Sequence, residues 1–503
     1  MKIELMDTTL RDGEQTTGVS YTDSEKLNIA KVLLDEVKVD RIEVASARVS
    51  EGEYKGVETI TNWAKKTGYL DQIEVLGFVD GGQSLDWIHK AGGRVINLLT
   101  KGSKKHCVEQ LKKTPEEHIQ GIRDTVAYAN KLGVSVNIYL EDWSNGMRHS
   151  KDYVLNMIDA LKDENIKRFM LPDTLGILNP DEAYSFCKEI VDRYPGKHFD
   201  FHPHNDYDLA AGNVFMAVKA GVHGVHTTVN GLGERAGNVP LASVVAVCKD
   251  QLKKDLNVVE ETLNKASRLV ETFSGIRIPA NKPIVGEYVY TQVAGIHADG
   301  DNKNKLYYNE LFPERFGRQR KYALGKMSGK ANIKQNLDEL GIELTADETK
   351  LVTERIIELG DKKEFVTRED LPYIIADVLQ NEKIKDKIRI KNFSLSVANG
   401  LRSVATLKLQ IDCIDYEETA AGDGQYDAFM NALSKIYERL GKKRPILTDY
   451  VVTIPPGGQT DALVESAITW QVDDKEIKTR GLDPDQTVAA IKATMRLLNI
   501  IEK

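Results

Sequence analysis

The first 230 residues alternate between short β-rich runs and amphipathic helical stretches, and this alternation constrains the fold more than any other feature of the chain. Strands that alternate with helices are typical of parallel βαβ units. Eight such units in about 250 residues match a closed (β/α)8 TIM barrel, which we predict in preference to a doubly wound open sheet. The eight β-rich runs are 2–9, 40–46, 73–79, 94–100, 135–142, 167–174, 198–206 and 224–231.

The length of 503 residues exceeds that of one ordinary domain. We predict an α/β barrel over 1–274, then a linker arm and helical subdomain over 275–387, and a C-terminal α+β domain over 388–503. The arm is rich in Gly, Pro and Asn, and we expect it to have little regular structure. Helical segments are predicted around 331–340, 347–360 and 368–380. The pattern of the last domain predicts two related ββα-like halves.

The composition excludes several classes of protein. A net charge of −8 argues against a nucleic-acid binder, which needs a clustered basic face. The sequence contains no run of about 18 apolar residues, so we expect no membrane span. No signal peptide is visible either. The cysteines are far apart and form no CxxC pair, so we expect reduced thiols in a cytoplasmic protein. The four cysteines are Cys107, Cys187, Cys248 and Cys413.

Polar residues gather where the predicted strands end. Active sites of (β/α)8 barrels lie at the carboxyl ends of the strands, so these residues are the candidates for function. They include Arg11, Asp12, Glu14, Tyr139, Glu141, Asp142, Asp173, Thr174, His202, His204, Asn205, Asp206 and Asn230, the last followed by GLGERAGN.

The triplet HPH at 202–204 predicts a metal site. Residues i and i+2 of a strand point to the same face, so His202 and His204 project together. Two imidazoles and a carboxylate suit a divalent metal with open positions, and Asp12 on a neighbouring first strand can supply the carboxylate. Asn205 and Asp206 are candidates for orienting the imidazoles. The alternative is a pair of half-buried histidines without a metal.

Two further residues carry candidate chemistry. Arg11, beside the proposed ligand, can stabilise charge that develops on a carbonyl oxygen; the alternative is a surface ion pair with Glu14 or Glu141. His297 lies in the arm and is the natural candidate for a general base, although a lone histidine in a loop is more often simply exposed.

The segment GLGERAGN has the G-x-G-x-x-A spacing of a dinucleotide fingerprint, at Gly231, Gly233 and Ala236. That fingerprint belongs after the first strand of a βαβ unit, whereas this segment follows the last predicted strand. We therefore favour a backbone cradle for a phosphate or a thioester tail at the eighth loop of a barrel.

The motifs DTTLRDGEQ, LPDTLG, HPHND and NGLGERAGN, in that order, resemble those of the isopropylmalate, citramalate and homocitrate synthase family. These proteins are metal-dependent, Claisen-condensing TIM barrels of the DRE-TIM metallolyase superfamily, and the resemblance extends along the whole chain. It implies an acyltransferase that condenses acetyl-CoA with a 2-oxo acid and then hydrolyses the thioester. It also implies a homodimer.

The resemblance assigns roles residue by residue. It implies that Arg11 polarises the 2-oxo group and Thr174 holds the substrate carboxylate. Glu141 and His297 match catalytic residues, with His297 as the base, and Tyr307 matches a tyrosine that often comes from the partner subunit. The implied ligands of Mn²⁺, Mg²⁺ or Zn²⁺ are Asp12, His202, His204 and Asn238, and the implied acetyl-CoA loop contains Gly231, Gly233 and Glu234.

The substrate pocket implied by the resemblance contains Leu76, Leu99 and Tyr139. The absence of Arg or His there disfavours homocitrate synthesis, and the bulk of Tyr139 favours the small methyl group of pyruvate. The segments YLEDWSNGMR, GIHADGD and GDGQYDAFMNAL are most similar to the (R)-citramalate-forming branch of the family, on a threonine-independent route to isoleucine. The alternative is condensation with 2-oxoisovalerate on the route to leucine.

The C-terminal domain resembles the regulatory domain of the family, which binds the end product of the pathway between two subunits. For the citramalate branch this effector is isoleucine. The aliphatic members of the implied site equally fit a hydrophobic core. By resemblance the site contains Tyr426, Asp427, Leu447, Tyr450, Ile454, Val464, Pro484 and Gln486.

Three other functions remain open. A lyase of the same superfamily would run the reverse reaction, but such lyases generally lack the C-terminal domain. An amino-acid sensor with an inactive barrel would have lost Arg11, Asp12 or the two histidines, and all are present. An NAD-dependent oxidoreductase would bind its cofactor at GLGERAGN.

Overall fold

The structure is a computed structural model that describes residues 2–303, 305–361, 366–379, 387–453, 464–473 and 475–502. The chain divides into two compact units. The first comprises 1–291 and 308–321, and the second comprises 292–307 and 322–503. No helix of the described residues is both long enough and apolar enough to cross a membrane.

The first unit contains a closed barrel of eight parallel strands, which confirms the predicted fold class. The strands follow one another around the barrel in chain order, so that β8 lies between β7 and β1. They are β1 (Glu4–Asp7), β2 (Arg41–Ser46), β3 (Ile73–Phe78), β4 (Val95–Lys101), β5 (Ser135–Glu141), β6 (Ile166–Asp173), β7 (Phe199–Pro203) and β8 (Gly224–Thr227).

Helices cover the outside of the barrel, and several begin at side-chain caps that the sequence encodes. The side chains of Thr22, Thr114 and Asn179 each accept a hydrogen bond from the backbone nitrogen of a glutamate three residues later. The carboxylate of that glutamate in turn accepts a hydrogen bond from the backbone nitrogen of the capping residue. The helices are α1 (Asp23–Lys31), α2 (Glu51–Thr67), α3 (Gln83–Lys90), α4 (Pro115–Leu132), α5 (Trp143–His149), α6 (Lys151–Leu161), α7 (Pro180–Arg193), α8 (Ala210–Ala220), α9 (Leu241–Ala246) and α10 (Leu263–Ser274).

The interior of the barrel is largely polar, whereas the layer between strands and helices is apolar. Arg41 is buried, and its guanidinium donates to Glu74 at 2.9 Å and to Asp200 at 2.6 Å. Asn137 donates to Asn97 at 2.9 Å, and Asn97 donates to Glu43 at 2.7 Å. Because buried charges persist only when they are paired, this network fixes the strands relative to one another beneath the carboxyl-end rim.

The second unit begins with a short helix, α11 (Gly295–Asn302), where the sequence predicts an irregular arm. That prediction is wrong for this segment. Three more helices follow close to the predicted positions: α12 (Lys330–Leu340), α13 (Ala346–Asp361) and α14 (Leu371–Val378). They share a small core around Ile333, Val352 and Ile356. Two short strands, β9 (Thr291–Gln292) and β10 (Lys321–Tyr322), form a two-stranded sheet.

The C-terminal part of the second unit repeats one motif twice, but each half is βββα rather than ββα. The sequence pattern indicated strands at β12, β14 and β15 and missed β11, β13 and β16. The first half consists of β11 (Ile388–Ser396), β12 (Ser403–Ile411), β13 (Ile414–Gly422) and α15 (Gln425–Arg439), and the second of β14 (Ile446–Thr453), β15 (Val464–Val472), β16 (Lys475–Asp483) and α16 (Gln486–Ile501).

Candidate active site

The loop after β1 carries Arg11 and Asp12, but neither residue lies on the strand. β1 ends at Asp7, and the chain turns back so that the amide nitrogen of Asp12 donates to the carbonyl oxygen of Thr8 at 2.8 Å. Asp12 thus enters the barrel mouth from a turn. The predicted neighbourhood of β1 and β7 is also wrong, since β8 separates them.

Asp12, His202 and His204 come together at the barrel mouth. The Asp12 Oδ2 atom lies 3.2 Å from His202 Nε2 and 3.8 Å from His204 Nε2, and the two Nε2 atoms are 3.4 Å apart. All three residues are buried. His204 follows the end of β7 at Pro203 and pairs with Asn238 in an isolated antiparallel bridge, so the two histidines do not share a regular strand as predicted.

The chemistry of this group fits a divalent cation. Burial opposes ionisation of Asp12, but the Arg11 guanidinium and a hydrogen bond from His202 hold the pKa of Asp12 well below its usual range. Burial lowers the pKa of His204 to about 4, so its imidazole is neutral at pH 7. Asp12 Oδ1 and Asn238 Oδ1 are buried without a hydrogen-bond partner. An anionic carboxylate, a neutral imidazole and unpaired buried oxygens are what a metal with N and O ligands requires.

The GLGERAGN loop positions Asn238. A side chain at Gly233 would collide with the Asn238 amide, and one at Gly237 would collide with the carbonyl oxygen of Gly231, which accepts from the Asn238 backbone at 3.1 Å. Both glycines have positive φ, at 148° and 81°. Glu234 is exposed and pairs with Arg235 at 3.3 Å.

Arg11 lies against the candidate metal group and is held there by a residue that the sequence analysis missed. Its guanidinium approaches Asp12 Oδ2 at 3.1 Å, and its Nε donates to Glu43 Oε2 at 2.5 Å. Glu43 is fully buried on β2. The expected alternative partners of Arg11 were wrong, since Glu14 and Glu141 pair with Lys26 and Lys101.

The three predicted pocket residues gather inside the barrel, next to Arg11. Leu76, Leu99 and Tyr139 form a separate apolar cluster with Met6 and Met170. The Arg11 guanidinium carbon lies 5.8 Å from the centroid of the Tyr139 ring. The arrangement is a small apolar floor beside a cation, which suits a short alkyl group attached to a carboxylate or carbonyl.

Glu141 and Thr174 occupy the same rim and already have partners. Glu141 pairs with Lys101, its neighbour in register on β4. The Thr174 hydroxyl accepts from the amide nitrogen of Asp142 at 2.9 Å, and the Thr174 carbonyl oxygen accepts from Arg235 at 2.7 Å. Their predicted roles in binding and catalysis stay predictions.

His297 and Tyr307 lie in the second unit and contact each other. Their ring centroids are 4.3 Å apart. His297 is half-buried on α11 rather than exposed in a loop, and Tyr307 is exposed. The catalytic roles that the resemblance implies for His297 and Tyr307 stay predictions.

The predicted effector residues fall into two places. The Tyr426 and Tyr450 rings touch, with centroids 5.5 Å apart. The amino ends of α15 and α16 meet where the Thr487 hydroxyl donates to Gln425 at 2.9 Å, which brings Asp427 and Gln486 to one side of the domain. Val464 pairs with Asp483, immediately before Pro484, whereas Leu447 lies toward the other end of the sheet, opposite Trp470. Ile454 lies outside the described residues.

The His202 imidazole contacts a residue other than those predicted to orient it. Asp206 pairs with Arg235 at 2.8 Å and Asn205 donates to Asp208 at 3.1 Å, so neither orients a histidine. The Nδ1 atom of His202 instead lies 3.2 Å from His226 on β8. A pairing between residues 24 positions apart on different strands leaves no trace in local spacing.

Comparison with known proteins agrees with the geometry. The family model described as HMGL-like matches residues 2–270, the homocitrate synthase post-HMGL domain-like model matches 284–364, and the LeuA allosteric (dimerisation) domain model matches 365–502. A probable 2-isopropylmalate synthase of Methanopyrus kandleri is 35% identical, covering 99% of this chain and 98% of the relative. The (R)-citramalate synthase of Methanocaldococcus jannaschii is 33% identical over 100% of both chains.

A 2-isopropylmalate synthase of the same archaeon, Methanocaldococcus jannaschii, is also 33% identical, covering 99% of this chain and 95% of the relative. Relatives of both names therefore match over nearly their full length at similar identity. The chain belongs to the HMGL-like family, within the group of the isopropylmalate and citramalate synthases.

Proposed function

We propose that this protein is an acyltransferase that condenses acetyl-CoA with pyruvate and hydrolyses the thioester to give (R)-citramalate and CoA. One observation carries the proposal: a buried Asp12–His202–His204 group lies beside Arg11, above a floor of Leu76, Leu99 and Tyr139. A cation site next to a small apolar pocket fits a 2-oxo acid whose carboxylate and keto oxygens are anchored while its alkyl end is buried.

Asp12, His202 and His204 are the proposed ligands of Mn²⁺, Mg²⁺ or Zn²⁺, with Asn238 beside them. When bound, the cation supplies a Lewis acid that holds and polarises the 2-oxo acid. Arg11 binds the keto oxygen and stabilises the negative charge that forms there as the new carbon–carbon bond is made. Glu43 keeps the guanidinium in place.

The remaining catalytic residues are proposed from the motif resemblance. His297 takes a proton from the acetyl methyl group, and Tyr307 and Glu141 assist in handling protons. The methyl carbon then attacks the keto carbon of pyruvate, and water cleaves the thioester to release CoA. Thr174 contacts the substrate carboxylate, and Gly231, Gly233 and Glu234 form the loop that binds acetyl-CoA.

The identity of the 2-oxo acid that accepts the acetyl group is tested with a panel of substrates. We expect release of free CoA thiol from acetyl-CoA to be fastest with pyruvate. The value of kcat/KM should fall about 10- to 200-fold for each added methylene of the acceptor, as in 2-oxobutyrate, because a closed apolar pocket discriminates by about 1–3 kcal/mol per methylene. A preference for 2-oxoisovalerate would contradict the proposal and identify a 2-isopropylmalate synthase, which the similarity to synthases of that name makes the second candidate.

The pocket assignment is tested by Leu99→Ala. Leu99 is the partly exposed member of the cluster, whereas the Tyr139 hydroxyl is tied into the polar network, so Leu99 can be shortened without removing a hydrogen bond. We expect the ratio of kcat/KM for 2-oxobutyrate to that for pyruvate to rise at least about 10-fold. The control is Leu98→Ala, since Leu98 is fully buried in the outer core. An unchanged ratio in Leu99→Ala would show that Leu99 does not contact the alkyl end of the substrate.

We propose that the C-terminal domain binds isoleucine and mediates homodimer formation, and that inhibition follows from its binding. The match to the LeuA allosteric (dimerisation) domain model over 365–502 supports this proposal. Effector control requires that isoleucine bind two states of the enzyme with different affinity. The predicted boundary at residue 388, at the start of β11, defines the test.

A chain that ends before residue 388 should condense acetyl-CoA with pyruvate but no longer respond to isoleucine. The matched control is the full-length protein with leucine in place of isoleucine, which should inhibit less. Inhibition of the shortened chain by isoleucine would show that the effector binds elsewhere. If leucine but not isoleucine inhibited the full-length protein, leucine would be the effector. That outcome would favour the second candidate function.

A further inference from the structure

Lys26 is a buried cation on α1 to which the proposed function gives no role. Its side chain is only 2% exposed, and its ammonium pairs with Glu14 Oε2 at 2.7 Å and with Glu53 on α2. The Nζ atom also donates to the carbonyl oxygens of Leu10 at 3.2 Å and Val44 at 3.3 Å. Because a buried charge persists only when it is paired, these contacts fix the loop after β1, the strand β2 and the helix α2 relative to α1.

Two of the four contacts enclose Arg11 and Asp12 in the chain. Leu10 immediately precedes Arg11, and Glu14 follows Asp12 by two residues. The second oxygen of the Glu14 carboxylate, Oε1, accepts from the Tyr21 backbone nitrogen at 2.7 Å, so both oxygens of that carboxylate are held. The segment 10–14 is therefore attached to one ammonium at each of its ends.

The other two contacts tie the ammonium to β2 and α2, which lie outside the loop. Val44 follows Glu43 on β2, and Glu43 accepts from Arg11 Nε at 2.5 Å. Gly56 on α2 leaves space for the lysine, since a Cβ atom there would lie only 3.2 Å from Lys26 Cδ. The ammonium thus holds the chain on both sides of Arg11 against the same strand that holds the Arg11 side chain.

We propose that Lys26 is a positioning residue that holds the segment 10–14 so that Arg11 and Asp12 project into the barrel mouth. The effect on the cation and on the reaction rests on the proposed function, whereas the effect on the segment itself does not. Residues that orient a metal ligand typically change metal affinity about 10- to 100-fold when they are removed. A cation that only stabilises the fold would lower the free energy of unfolding without changing metal affinity.

The test uses two variants of Lys26. Lys26→Met keeps the length of the side chain but removes the ammonium, and it leaves two largely buried carboxylates unpaired. A triple variant adds Glu14→Gln and Glu53→Gln, which removes those charges. It should regain stability without regaining the attachment of the segment, so it separates a positioning role from a purely structural one.

Arg315→Met is the control, because Arg315 also bridges two carboxylates of the first unit, those of Asp250 at 3.0 Å and Glu260 at 2.6 Å. Hydrogen–deuterium exchange of the metal-free protein, followed by mass spectrometry, reports local opening at the amides of residues 11–13. All three amides donate to the carbonyl oxygen of Thr8. Electron paramagnetic resonance of free Mn²⁺ during titration reports the affinity for the cation.

We expect the amides of residues 11–13 to exchange at least about 10-fold faster in both Lys26 variants, because their segment opens more often. Affinity for Mn²⁺ should fall about 10- to 100-fold in both. In Arg315→Met the exchange rates and the affinity should stay within about threefold of the wild type, since distant sites act independently.

Unchanged exchange in the triple variant, or equal acceleration in Arg315→Met, would overturn the proposal; the triple variant decides alone if Lys26→Met does not fold. Faster exchange with unchanged Mn²⁺ affinity would also overturn it, since Asp12 would then be placed without Lys26. Faster exchange together with a wild type that binds no Mn²⁺ would refute the metal site and leave the role of Lys26 in holding the segment standing.

Discussion

Replacing Asp12 with alanine is expected to abolish Mn²⁺ binding and to lower kcat/KM for acetyl-CoA and pyruvate by at least about 1,000-fold. Asp12 supplies the carboxylate of the group with His202 and His204, so its loss leaves the group without an anionic ligand. A Lewis-acid metal contributes several kcal/mol to stabilising charge in the transition state, and about 4 kcal/mol corresponds to about 1,000-fold in rate. The measurements are Mn²⁺ titration by electron paramagnetic resonance and release of CoA thiol.

The matched control is Asp206→Ala. Asp206 is a second carboxylate close to His204 in the sequence, but it pairs with Arg235. We expect its replacement to leave Mn²⁺ affinity within about threefold of the wild type, because loss of a partly exposed ion pair costs about 1 kcal/mol or less. His204→Ala should behave like Asp12→Ala. Full activity of wild-type protein after removal of all divalent metal would contradict the mechanism.

The second large effect concerns stability. Arg41→Met is expected to lower the free energy of unfolding of the barrel by about 3–5 kcal/mol, because it leaves the buried carboxylates of Glu74 and Asp200 without their cation. Arg41 is only 4% exposed, so water cannot replace the guanidinium. Urea denaturation followed by circular dichroism measures the change, provided that the barrel transition is resolved from that of the second unit.

Arg168→Gln provides the comparison for Arg41→Met. Arg168 also pairs with a carboxylate of the barrel, that of Glu4 at 2.9 Å, but Glu4 is about one-third exposed. We expect a loss of about 1 kcal/mol or less. Equal losses in the two variants would mean that the buried network contributes no more than a surface ion pair. The double variant Glu74→Gln with Arg41→Met should recover part of the loss, since it removes one of the unpaired charges.

Much of the barrel could be predicted from the sequence because its information is local. Each strand is a short β-rich run bounded by a helix with a hydrophobic stripe, and the eight predicted strands lie within a few residues of the observed ones. His202, His204 and Asp12 were found for the same reason, since HPH and RDG are short motifs at strand ends. The turn that carries Asp12 back toward Thr8 was not predicted, because a tight turn after a strand has no distinctive pattern.

The residues that the sequence did not predict belong to long-range contacts. Glu43 and His226 sit in the middle of strands, where alternation with apolar neighbours makes them look like ordinary solvent-facing positions. Only closure of the barrel reveals that this face points inward, so that Glu43 meets Arg11 and His226 meets His202. The strands β11, β13 and β16 were also missed, and most residues of β13 are exposed, as in a surface loop.

Most of the apolar floor lies on strands that carry no proposed ligand. Leu76, Leu99, Tyr139 and Met170 come one each from β3, β4, β5 and β6, and Met6 comes from β1, whereas the proposed ligands come from β7 and from the loops after β1, β7 and β8. Substitutions on β3 to β6 can therefore change the floor without replacing a proposed ligand. Relatives that share about a third of their residues with this chain carry two different enzyme names, and such a separation lets one scaffold change its pocket while the candidate metal group stays the same.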